Sequence, residues 1–184
     1  MKAARIMSTT GLTFLAVSVS FLAGCATAPA PVNYAPSSVL SATGSVSVVD
    51  FRYLPYESGA VAKNQIKNTA LGKIEIDRDV KDFVRDAVFA EFRFVGVKLD
   101  NRNRTVGGDI AEFLVDDLGF NVDWTLRVRY LVKEVGDNKM LFESEKVVQR
   151  RTAKFVNPFG ALNEIIKLNV EQLLKDPEFI KVIQ

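Results

Sequence analysis

Histidine is absent from this sequence, and cysteine occurs once, at Cys25. The first absence removes the commonest general base, the commonest zinc ligand and the middle member of a Ser-His-Asp or Cys-His arrangement. The second removes any intrachain disulfide, so oxidising surroundings add nothing to the fold through cross-links. A charge excess is missing as well. The chain carries 24 Lys and Arg against 22 Asp and Glu, and two of the cations, Lys2 and Arg5, precede Cys25 while no acid does. Cut at that seam, the chain has 22 charges of each sign. A neutral chain lacks the concentration of cations on which non-specific phosphate binding rests, so no nucleic-acid partner is expected.

What is present at the amino terminus is a delivery pattern. Lys2 and Arg5 are followed by no charged residue from Ile6 to Gly24, with the most apolar part from Gly11 to Leu22. A short cationic segment, an apolar segment and small residues before a cut make a secretory signal. The alternative is an uncleaved membrane-spanning helix. Ser8, Thr9, Thr10, Ser18 and Ser20 weaken it, as does the switch to Ala and Pro after Cys25.

Leu22-Ala23-Gly24-Cys25 resembles the lipobox of bacterial lipoproteins at all four positions. That resemblance implies a diacylglyceryl group on the Cys25 sulfur, cleavage between Gly24 and Cys25, and acylation of the new amino terminus. Several acyl chains make a stable anchor where one holds only marginally. In Gram-negative lipoproteins an aspartate after the acylated cysteine marks inner-membrane retention, and Ala26 stands there. The resemblance therefore implies the periplasmic face of the outer membrane, with the lipid on Cys25 as the sole attached group and no separate cofactor.

Residues 26–38 contain Pro29, Pro31 and Pro36 among Ala, Ser and Thr, a composition that favours extended backbone. At about 3.1 Å per residue these thirteen residues predict a leash of roughly 40 Å. The expected organisation is a signal peptide over 1–24, a lipid-anchored tether over 25–38 and a single domain over 39–184. The last is long enough for its own core.

Within that domain "SVSVVDFRYLPY" from Ser45 reads as a strand broken by Pro55, residues 57–72 as a loop and "KIEI" from Lys73 as a short strand. "DRDVKDFVRDAVFAEFRFVG" from Asp77 predicts a helix. Val80, Phe83, Val84, Ala87 and Val88 form its buried face, Asp77 or Asp79 its cap and Gly96 its stop. Residues 101–108 read as a polar loop with a turn at Gly107-Gly108. Even positions from Phe120 to Val132 are apolar and Arg127 and Arg129 are odd, which predicts a half-buried strand. A turn at residues 136–138 and a returning strand from Lys139 follow. Asn157-Pro158 and Asp176-Pro177 open two closing helices. The order predicts an α+β fold, a two-layer domain of mostly antiparallel sheet with helices packed on one face.

"IEIDRDVKDFVRDAVFAEFRFVG", two long alternating strands and a final "DPEFIKVI" resemble the YajG-type group of uncharacterised outer-membrane lipoproteins. The resemblance implies the fold and the compartment. It brings no catalytic residue.

Three constellations remain. Asp109, Glu112, Asp116, Asp117 and Asp123 are dense enough to suggest paired acid and base roles in a cell-wall hydrolase, but on strands they most simply make a solvated face. No loop has calcium-ligand spacing, and no metal is expected. Arg127 and Arg129, with Arg150, Arg151 and Lys154, are candidates for an anionic or acidic partner, or else for ion pairs with Glu143 and Glu145. "KFVNPFGAL" puts Phe155 and Phe159 beside a connection, as a partner interface or a plug of the core. The favoured expectation is a non-enzymatic binding or assembly module at the outer membrane, held there by its lipid and engaging an envelope protein. Alternatives are an auxiliary lipoprotein of a lipid or solute transport system, which requires an apolar groove, and the hydrolase.

Overall fold

A computed structural model describes residues 28–70, 72–154 and 157–184. In chain order its elements are β1 (Ser47–Tyr53), α1 (Leu54–Glu57), β2 (Gln65–Asn68), β3 (Ile74–Glu75), α2 (Val80–Val95), β4 (Arg104–Asp116), β5 (Asn121–Glu134), β6 (Met140–Ala153), α3 (Pro158–Leu174) and α4 (Pro177–Ile183). The fold is α+β, as expected. The three longest strands, β4, β5 and β6, form an antiparallel meander, and β2 pairs antiparallel with β3. Two parallel pairings were not foreseen. β1 lies along Thr105–Ile110 of β4 and β2 along Leu114–Val115, so both share the outer edge of that strand. Helix α2, between β1 and β4 in sequence, makes the long crossover that a parallel pair needs.

The helices hold the positions that their periodicity requires. Val80, Phe83, Val84, Ala87, Val88 and Phe92 of α2 are buried, and Gly96 ends the helix in the left-handed region at φ 101°. Asp79 stands at the N-cap without a capping bond and pairs instead with Lys63 at 3.1 Å, while Asp77 accepts from the Val32 amide. Asn157 and Asp176 do cap, accepting from Phe159 N and from the amides of Glu178 and Phe179. α3 packs over β5 and β6 and beside α2, and its Asn169 accepts a 2.8 Å hydrogen bond from buried Tyr130 of β5.

Strand β4 departs most from expectation. Residues 104–108 belong to it, and Gly107-Gly108 is mid-strand. A Cβ on Gly107 would stand 2.7 Å from the Asp50 carbonyl oxygen, and one on Gly108 2.4 Å from that of Arg129. Glycine is needed where neighbouring backbones close in, which imitates turn chemistry in sequence. The pairing with β5 slips between Ile110 and Glu112. This bulge changes which parity faces the core, from Val106 and Ile110 to Phe113 and Val115. Asp109 and Glu112 can therefore both lie on the other face.

Three smaller expectations are corrected. The stretch 57–72 contains β2, with Ile66 fully buried. Phe120 precedes β5 and is 96% exposed in the turn rather than buried on the strand. The leash ends early. Ala30 donates to the Glu75 carbonyl at 2.8 Å, Val32 and Ser38 are buried, and Tyr34 packs edge-on against Phe83. Buried Glu91 of α2 accepts from the Tyr34 hydroxyl and the amides of Ser37 and Ser38, while the Ser38 hydroxyl donates to Glu171 of α3. Proline kept this segment extended, but its few apolar and hydroxyl side chains found partners on the helices.

Candidate functional site

Four of the five acids in the cluster meet cations, and Asp116 meets a hydroxyl. Asp109, whose side chain is 4% exposed, is the cross-strand neighbour of both Arg52 and Arg129 and pairs with each. Glu112 lies 3.5 Å from Arg127, and Asp117 3.1 Å from Lys154. Asp116 accepts from the Thr69 hydroxyl at 2.6 Å. The guanidinium fork of Arg151 meets both oxygens of Asp123 and holds that carboxyl below its usual range. Among the described residues no group of three His, Cys, Asp or Glu side chains could hold a metal ion.

The arginines do not form one patch. Arg127, Arg129 and Arg151 stand on the sheet face opposite the helices, where Arg127 also pairs with Glu145 at 2.8 Å and Arg129 with Glu143 at 3.5 Å. Arg150, one residue from Arg151, points the other way and bonds Glu164 of α3 at 2.8 Å. The alternation of a strand separates them. This is the ion-pair alternative of the sequence reading: exposed pairs of modest worth across neighbouring strands. Phe155 and the residues Leu22 to Cys25 lie outside the described residues.

Phe159, in contrast, belongs to a site. It stands in the first turn of α3, 42% exposed, on the rim of an apolar groove of about 550 Å³. Ile66 of β2, Ile74 of β3, Ile76 just after it, Trp124 of β5 and Leu162 of α3 line it. The Trp124 indole N–H donates to Thr152 at 3.0 Å, which satisfies its polar edge and frees the ring for the groove. Ala28 and Ala30 line the groove as the chain comes onto the domain, and Lys73 and Glu75 supply its charged rim. Such a surface can hold an apolar chain or side chain. Trp124 and the three isoleucines were missed in sequence because each reads as ordinary core. The only tryptophan of the chain, on a strand whose other buried residues are Val, Leu and Tyr, was the available signal.

No family model matches the chain, and no curated protein matches it, so the likeness to the YajG-type group rests on residue pattern alone. Solved structures do match. Lipoprotein GNA1162 from Neisseria meningitidis does so with TM-score 0.32 at 8% identity, over 70% of this chain and 99% of that one. A PelC dodecamer from Paraburkholderia phytofirmans has TM-score 0.43 and 10% identity, over 74% and 92%. Protein XCC0632 from Xanthomonas campestris, family DUF330, has TM-score 0.57 and 12% identity, over 79% of this chain and 89% of that one. What the chain shares with XCC0632 is its fold.

Proposed function

We propose that this chain is an envelope lipoprotein, anchored through Cys25 to the periplasmic face of the outer membrane, that acts as a non-enzymatic binding module. The observation that carries the binding role is the apolar groove between the β2–β3 hairpin and the start of α3. Its occupant on this reading is an apolar segment of another envelope protein. The pairing of Asp109, Glu112, Asp117 and Asp123 with cations supports a solvated, structural role for the acids and leaves the hydrolase reading without a free carboxylate pair.

The same groove favours a second reading, the auxiliary lipoprotein of a lipid transport system, which had required such a feature. Its lining is mainly aliphatic and aromatic, the chemistry that takes up an acyl chain.

A photoreactive amino acid in place of Ile74, inside the groove, activated in living cells and followed by mass spectrometry, tests both. Adducts to one envelope protein support the module, and adducts to phospholipid support the transport reading. Neither product would sink the groove as a binding site. Asp116→Asn with Asp117→Asn should leave cell-wall turnover unchanged; its collapse would restore the hydrolase. Radiolabelled fatty acid should be lost from Cys25→Ala, and label retained on that variant would refute the anchor.

A further inference from the structure

We infer that one end of the domain lies against the bilayer, with Leu118 and Phe120 of the β4–β5 turn in its interfacial layer. The inference deepens the proposed lipid anchoring and rests on it. Leu118 is 73% exposed and Phe120 96%, so neither side chain contributes to the core. Single exposed apolar residues are ordinary, but these are not placed at random. Asn121, next to Phe120, pairs with Ala153 at the end of β6, and Lys154 then donates to the carbonyls of Asp117 and Gly119. Lys154 thus grips the turn from below while Leu118 and Phe120 project. Thr69, after β2, bonds Asp116 and ties the β2–β3 connection to the same end. Half-exposed Phe159 opens α3 there, five residues beyond Lys154.

The chain itself identifies what this end faces. Ala28 lies in the groove beside Phe159 and Trp124. Cys25 is three residues earlier, a span of at most about 11 Å. Residues 30–38 are bound to the helices and do not act as a 40 Å leash, so only three residues along the chain separate the acylated sulfur from the groove. A lipid anchored that closely brings the groove with its Phe159 to the headgroups, and the turn tied to the ends of β2 and β6 through Thr69 and Lys154 presents Leu118 and Phe120 beside it. Aromatic and aliphatic side chains with lysine beside them are the composition that settles at an interface.

The test uses the full lipidated chain, extracted in detergent and reconstituted into vesicles of phosphatidylethanolamine and phosphatidylglycerol. Thioether formation consumes the Cys25 thiol, so Phe120→Cys presents a single site for an environment-sensitive maleimide dye. Gly136→Cys, where a Cβ meets nothing within 4 Å at the opposite end of β5, is the control. The dye at 120 should shift to the blue on reconstitution and lose most of its emission when the vesicles contain acyl-chain doxyl lipid, and the dye at 136 should do neither. A chain that floats with the vesicles while both dyes stay in water overturns this inference and leaves the anchor standing. A chain that does not float overturns both.

Discussion

The Tyr34 hydroxyl donates a 2.6 Å hydrogen bond to Glu91, fully buried on α2 and 57 residues away in sequence. The amides of Ser37 and Ser38 donate to the same carboxylate. Burial above all, and then the carboxylate, push the Tyr34 phenol well above its ordinary range, so it remains a donor at any pH the fold survives. One side chain thereby ends the tether. Tyr34→Phe should cost about 1 kcal/mol. Glu91→Leu strands three donors and should cost about 3 kcal/mol or more, at roughly 1–3 kcal/mol for each buried group left unpaired. Urea unfolding measures both. Limited proteolysis within residues 33–38 should accelerate in Glu91→Leu and stay near wild type in Tyr34→Phe.

Tyr130 and Asn169 join the sheet to α3. Asn169 accepts from the Tyr130 hydroxyl and donates to the carbonyls of Leu126 and Lys146 at 3.2 and 2.9 Å. Asn169→Leu should destabilise by about 2–4 kcal/mol because it leaves the phenol buried without an acceptor. Adding Tyr130→Phe removes the stranded hydroxyl, so the double variant should be more stable than the sum of the singles. Strict additivity in urea unfolding would show that the two residues are not coupled.

Gly108 is where β1, β4 and β5 come together. Gly108→Ala would put a methyl 2.4 Å from the Arg129 carbonyl and 3.1 Å from the Phe51 ring, and backbone on a central strand cannot yield. The expected loss is on the order of 3 kcal/mol, the upper range for overpacking. Gly136→Ala, with open space around it, should fall within about 0.5 kcal/mol of wild type. Equal urea midpoints for the two would contradict the register described for β4.

Asp176 gives the fold an acid-sensitive joint. Burial raises its pKa, but the 2.6 Å bond to Lys146 and the amides of Glu178 and Phe179 outweigh that and hold the carboxyl below its ordinary value of 3.8. With the folded-state pKa depressed, the stabilisation is complete above the ordinary value and is lost as pH falls through the lower one. Asp176→Asn keeps an acceptor for the cap and removes the titration. Its stability should decline less steeply than that of wild type below about pH 4, the region of an ordinary aspartate. Parallel acid limbs in the two chains would mean that other carboxylates carry the transition.

The elements that were legible in sequence are those built by local rules. α2 showed its buried stripe and its glycine stop, the last two helices their Asn-Pro and Asp-Pro starts, and β5 its alternation. β4 was half hidden because Gly107-Gly108 resembles a turn and the bulge after Ile110 breaks the alternation that identifies a strand. Of the candidate site residues, Phe159 stands on the groove, while the arginines proved to be divided between two faces and matched with acids. The groove's isoleucines gave no sign, since a residue lining a groove and a residue filling a core have the same chemistry.

By itself the sequence determined the α+β class, the positions of the major helices and long strands, and an amino-terminal pattern resembling a lipoprotein signal. Periodicity, caps and turn residues act over a few positions, where the order of residues is the whole of the information. Only tertiary structure decided that β1 and β2 share one edge of β4, that Tyr34 and Glu91 turn a leash into a strap, and that Ala28, Trp124 and Phe159 surround one groove. Those contacts join residues tens of positions apart, and their free energy exists only once the layers have packed.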